Sequence, residues 1–209
     1  MSALLRVLAW FTVIAGAICA VIYYAYADLW VVPTDDPRFL VSIEPMLRGG
    51  DLVLVERHGV PSLGNLVRCV DPDEPRRWVV GRIVAAAGTD LHLKGQSFNV
   101  PGSREHSDSS CETRHLTNPA TGDDVELRCR NEEFAGGDYQ MLSREDVPAQ
   151  DSTVRVPPGK SFLLSDDRYL HLDSQDFGSV PETSCHHIVF RLWGAEGFTD
   201  GSHRFNLLW

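Results

Sequence analysis

Ser42-Ile43-Glu44-Pro45-Met46-Leu47-Arg48-Gly49-Gly50-Asp51 is the most informative stretch of this 209-residue chain. It lies just beyond an apolar N-terminal span and just before a series of short apolar runs, so two kinds of organisation meet there. Upstream, Val7 to Ala27 is a run of 21 residues with no charged side chain. As a helix, that length crosses a hydrocarbon core of about 30 Å. Arg6 and the α-amine precede the run, while Asp28, Asp35 and Asp36 follow it. The charge bias predicts residues 1–6 in the cytoplasm and everything after 7–27 on the far side of the membrane. Trp10, Tyr23, Tyr24, Tyr26 and Trp30 suit the aromatic belts at the two interfaces. Ala25-Tyr26-Ala27 has the small-x-small form of a leader cleavage site, but the apolar run exceeds the 7–15 residues of such leaders. An uncleaved, single-pass anchor in the inner (cytoplasmic) membrane is the favoured reading, with the C-terminal domain on its outer, periplasmic or extracytoplasmic side.

Downstream, residues 28–39 read as a linker carrying Pro33, Pro37 and three aspartates. From Leu40 onward, short apolar runs alternate with Gly, Pro and Asp: Leu52–Val55, Asn65–Val70, Trp78–Val84, Leu91–Lys94, Ser161–Leu164 and His187–Leu192. Runs of this length and punctuation are strand-like, and no stretch beyond the anchor keeps a helical period for long. The fold class is therefore mostly β, an antiparallel domain over 40–100 and 153–209. Residues 101–152 are polar, and so long a structureless loop would be unusual in a compact domain. They are expected to be an inserted subdomain or ribbon.

The chain is 43% hydrophobic and carries a net charge of −10. That acidic balance argues against a nucleic-acid partner, which needs clustered cations. Its only lysines are Lys94 and Lys160. Of the five cysteines, Cys19 is inside the anchor; Cys69, Cys111, Cys129 and Cys185 would face an oxidising compartment. A Cys111–Cys129 disulfide is favoured because the two bracket a polar segment, although four cysteines allow three full pairings. Cys185-His186-His187 has no second ligand cluster at zinc-like spacing, and strand alternation sends the two histidines to opposite faces. Neither metal nor cofactor is expected.

The stretch 42–51 resembles the nucleophile box of type I signal peptidases, Ser-Met-x-Pro-Thr-Leu-x-x-Gly-Asp, at five of seven specified positions. Three further stretches resemble that family in its order: Gly64–Val67 with Pro72, Arg82–Gly88, and Pro157–Pro181. Within the last, Ser165–Pro181 is similar to Gly-Asp-Asn-Arg-x-x-Ser-x-Asp-Ser-Arg-x-x-Gly-x-Val-Pro at seven of eleven specified positions, without a gap. The resemblance implies a signal-peptidase-like antiparallel β-domain behind one transmembrane helix, with Ser42 as the attacking residue.

It also exposes a loss. The family activates its serine with a desolvated lysine amine, and the matching position here is Gly81. Arg82 cannot replace it, because a guanidinium stays protonated. Leu40 stands where many bacterial members keep an oxyanion serine, and losing one such donor typically costs about 2.7–4 kcal/mol. The serine that orients the lysine in the family is here His171. An imidazole suits a general base, so one hypothesis has His171 reaching Ser42 through the volume vacated at Gly81, held by Asp173. Leu40, Ile43 and Pro45 are expected to line substrate pockets, whereas Asp51 and Arg168 read as structural partners.

Two functions stay open. One is a membrane-anchored serine endopeptidase cleaving leader peptides of translocated proteins, bound as extended segments. The other is a non-cutting relative that holds such segments or completes a membrane assembly with other proteins. Expected partners in either case are an extended peptide or preprotein segment and the lipid bilayer.

Overall fold

The computed structural model describes residues 3–100, 103–105, 111–148, 150–201 and 203–208. Its first element is helix α1, Ala3–Tyr26, whose Trp10 and Phe11 are each 68% exposed. Among the described residues no helix is long and apolar enough to cross a membrane. The side chains at positions 3, 4, 19, 22 and 23 of α1 are not among those described.

Strand β1, Ala27–Val31, begins at the next residue and pairs antiparallel with β2, Leu52–Glu56. The expected linker over 28–39 is thus corrected. Trp30 turns inward, 9% exposed, into a core with Val32, Val53, Val55 and Ile188, so it does not serve an interfacial belt. The Arg68 guanidinium sits 5.0 Å from its ring centroid, a contact that favours a fixed indole. The rest of the supposed linker starts helix α2, Pro37–Ser42. Asp36 caps it, accepting from the backbone N–H groups of Arg38 (2.9 Å) and Phe39 (3.3 Å), and Pro37 fills the first turn, where a missing N–H costs nothing.

The remaining strands are β3 (Leu66–Val70), β4 (Trp78–Ala85), β5 (Asp90–Lys94), β6 (Ser97–Asn99), β7 (Ser103–Glu105), β8 (Arg114–Thr117), β9 (Asp124–Phe134), β10 (Gly137–Ser143), β11 (Asp151–Arg155), β12 (Lys160–Leu164), β13 (Val180–Pro181), β14 (Cys185–Trp193) and β15 (Asn206–Leu207). A short helix α3, Ser174–Phe177, precedes β13. The main sheet runs β1-β2-β14-β3-β4-β12-β13, with β15 on β14, and its pairings are antiparallel. A smaller sheet is β11-β5-β6, and another is β10-β9-β7 with β8 on β9. The mostly β, antiparallel class expected from the short apolar runs is what forms.

The described residues of 101–152 are built into this body. Phe134, Tyr139 and Met141 from β9 and β10 share one core with Val84, Leu91, Phe98, Phe162 and Leu164. The Cys111–Cys129 disulfide closes β9 onto its preceding segment, and Cys69–Cys185 joins β3 to β14 across 116 residues of sequence. With its sulfur in that bond, Cys185 offers no metal ligand.

Candidate active site

Ser42 is the last residue of α2 and is 1% exposed. Its Oγ donates to the Phe39 carbonyl at 2.9 Å, the back-bond a serine often makes to the preceding helical turn. Its own carbonyl accepts from the Asp167 N–H at 3.2 Å, tying α2 to the segment after β12. That segment is fixed on its other flank by β10, where Leu142 N–H donates to Asp166 O and Arg168 N–H to Leu142 O, each at 2.8 Å. Gly50, two turns beyond Ser42, has φ +86° and comes so close to Ala195 that an added Cβ would lie 2.9 Å from it. Glycine is therefore required there on both counts.

A buried ionic frame braces the same segment. Arg82 makes a two-pronged pair with Asp166, Nε to Oδ1 at 3.1 Å and Nη2 to Oδ2 at 3.0 Å, and its guanidinium lies 3.6 Å from the Tyr139 ring centroid. Arg168 donates to Glu132 Oε2 at 2.8 Å and to the Tyr139 hydroxyl at 3.2 Å; that hydroxyl donates to Glu132 at 2.6 Å. Arg82 and Asp166 are at most 2% exposed, as is Glu132, and Arg168 is 3% exposed. Glu132 and Tyr139 come from the polar insert, so the insert completes the frame. Asp51 likewise accepts from Arg191 at 3.2 Å and from the Arg48 N–H at 3.0 Å.

His171 does not reach Ser42. Its Nδ1 bonds Asp176 Oδ2 at 2.9 Å and is 3.8 Å from Asp173 Oδ1. The Asp176 hydrogen bond raises its pKa, against an opposing push from burial. The route imagined for it is closed as well. A Cβ added to Gly81 would lie 3.0 Å from the Leu164 carbonyl oxygen and 3.2 Å from Leu163 Cβ, because β12 packs directly over that position. Asp173 is committed to the backbone: Oδ1 accepts from Gln175 N–H and Oδ2 from Ser165 N–H, both at 2.9 Å. Together with Asp176 it forms the capping box of α3. Ligating atoms of His171, Asp173 and Asp176 fall within 4.8 Å of one another, and the cap accounts for that grouping. Of the residues expected to line pockets, Ile43 is a core residue at 3% exposure, beside Leu47 and Val80. Leu40 is half-buried against Gly49, and Pro45 lines a cleft of about 810 Å³ with Arg114 and Tyr139. A second cleft, of about 310 Å³, runs between α2 (Arg38, Val41), the 118–120 turn and His171.

One neighbour of Ser42 was not singled out from sequence. Asp167 is fully buried; its Oδ1 accepts from Tyr169 N–H (2.9 Å) and Leu170 N–H (2.8 Å). Among the described residues its Oδ2 has no hydrogen-bond partner. Burial pushes its pKa up to about 7, against the pull of those two N–H groups and of His171. Nearby Glu44 is also raised by burial, although Arg48 draws it back. The visible signal was an aspartate where the resembled box has asparagine; nothing in the sequence told that its second oxygen would be sealed.

Comparison with known proteins decides the family. The sequence profile described as signal peptidase, peptidase S26, matches residues 5–193. The chain belongs to the signal peptidase family. Among its relatives are the signal peptidases IB of Staphylococcus aureus strains Mu50, N315 and COL, each 25% identical over 171 residues, which cover 79% of this chain and 78% of the relative. Family membership supports a leader-peptidase-like role for this signal peptidase family member, and the matched span includes both Ser42 and Gly81.

Proposed function

We propose that this protein is a membrane-anchored serine endopeptidase that removes leader segments from translocated proteins, with Ser42 as nucleophile. The observation that carries the reading is the retention of Ser42 at the end of α2, locked to the Asp166–Arg168 segment by the Asp167 N–H within a family match from residue 5 to 193. The substrate would lie extended in the cleft beside Val41 and the 118–120 turn. In this reading the anchor would be the uncharged run Val7–Ala27, nearly all of it in α1 and about 32 Å long as a helix; the absence of charge supports it, whereas among the described residues no helix is by itself long and apolar enough to cross. Two disulfides in the β-domain support an oxidising, extracytoplasmic location.

A second reading, a relative that binds such segments without cutting them, is favoured by Gly81 and by the Ser42 hydroxyl donating to Phe39. Incubating the full chain in detergent micelles with a preprotein separates the two. The expected result is release of a leader fragment, read by mass spectrometry, with S42A slower by about 10³-fold or more. Equal preprotein binding by wild type and S42A, with no fragment from either, would establish the second reading instead.

A further inference from the structure

We propose that Asp167 is the general base for Ser42, a carboxylate doing the work the family assigns to a lysine amine. The proposal deepens the endopeptidase reading and rests on it. Three observations carry it. Asp167 is bonded to Ser42 through the backbone, so the two residues cannot drift apart without breaking the contact between α2 and its neighbour. Its carboxyl is clamped by Tyr169 and Leu170 N–H groups on Oδ1 alone, which fixes the group while leaving Oδ2 available. Among the described residues, Oδ2 is a buried acceptor without a donor, and such a group calls for an explanation, of which a catalytic role is one.

The competing groups are engaged elsewhere. His171 holds Asp176, Asp173 caps α3, Glu44 pairs with Arg48 at 3.3 Å, and Arg82 is locked on Asp166. The electrostatics agree with the geometry: burial raises the pKa of the Asp167 carboxyl to about 7 against the Leu170 and Tyr169 N–H groups, with smaller opposing influences from His171 (downward) and Glu44 (upward). A base poised near the working pH is the efficient kind.

In the step, the Ser42 side chain leaves the rotamer that donates to Phe39 for another staggered well. The Oγ proton passes to Asp167 Oδ2 as Oγ bonds to the scissile carbonyl carbon, whose C=O π pair moves to oxygen. When that pair returns, the C–N bond breaks and the amine leaves with the proton from Asp167. Water then attacks the acyl ester, giving its proton to Asp167. As the ester C–O bond breaks, that proton returns to Ser42 Oγ and the carboxylic acid is freed.

The test uses the full chain in micelles, comparing wild type, S42A and D167N with one leader peptide. Asparagine has the shape of aspartate and is the residue of the resembled box, so folding should survive; far-ultraviolet dichroism and melting verify it. The expected result is a wild-type kcat that rises with pH through a limb near 7. D167N should lose about 10²–10⁴-fold in kcat, with KM unchanged and the limb gone. Labelling of Ser42 by a fluorophosphonate should follow the same limb in wild type. An active D167N with the wild-type pH profile, alongside a dead S42A, overturns the base while leaving the endopeptidase intact. Wild type that neither cuts nor labels overturns both.

Discussion

At Asp167 the same burial that would serve catalysis should weaken the fold above neutral pH. The folded pKa is about 7 against an unfolded value of 3.8, so the folded state holds the proton more tightly between those values. The stability that comes from this is complete below pH 3.8 and is lost as pH rises through 7, amounting to about 4 kcal/mol. D167N, which does not titrate, should melt at a clearly higher temperature than wild type at pH 8 and at a similar one near pH 4, read by calorimetry. His171 enters as a neighbour: its positive charge lowers the Asp167 pKa, so H171A should move the activity limb to higher pH. From sequence alone, the family was legible because the box that starts at Ser42 is dense in specified residues. The role hypothesised for His171 was not sound, because it needed a hollow at Gly81. Only the pairing of β4 with β12 reveals that Leu163 and Leu164 fill it. Gly81 is a missing side chain without a missing volume.

At the scale of elements, the polar insert is a structural partner of the site. Its Glu132 neutralises Arg168, and both are buried. Removing one member of such a pair strands a charge, at about 3–5 kcal/mol. E132Q should therefore lower Tm by about 6–20 °C, while E132L with R168M should recover much of the loss. The strands of the insert were hidden by composition rather than by pattern. In β9, Val125, Leu127 and Cys129 point inward, while Asp124, Glu126 and Arg128 are exposed, an alternation that polar residues obscure. β4 and β5 were easier: one is a nearly unbroken buried run, and the other alternates cleanly. β1 was missed because Leu29, Trp30 and Val31, its apolar residues after Asp28, are too short a run to stand out beside the N-terminal span and the Pro- and Asp-rich residues that follow. The disulfide from β3 to β14 closes a long loop, for which chain-entropy arguments give about 4–5 kcal/mol; reduction should lower Tm accordingly.

For the whole molecule, the boundary between helix and domain is the feature with most reach. Deleting residues 1–26 should leave a folded, water-soluble domain, whereas deleting 1–31 also takes β1 and the buried Trp30, a loss of about 3–5 kcal/mol for the indole alone. Sedimentation after alkaline washing of membranes should find the full chain in the pellet and the shorter form in the supernatant. Strand β1 starts one residue after α1 ends, and Asp28 is paired there to Arg57 at 3.6 Å and Arg68 at 3.1 Å. With α1 as the anchor, this leaves no tether between bilayer and domain. The height of Ser42 above the lipid is then set by the protein, like a blade on a fixed gauge. A preprotein would be cut where its chain reaches that height, so inserting flexible residues between Tyr26 and Ala27 should blur the cleavage position before it slows the reaction.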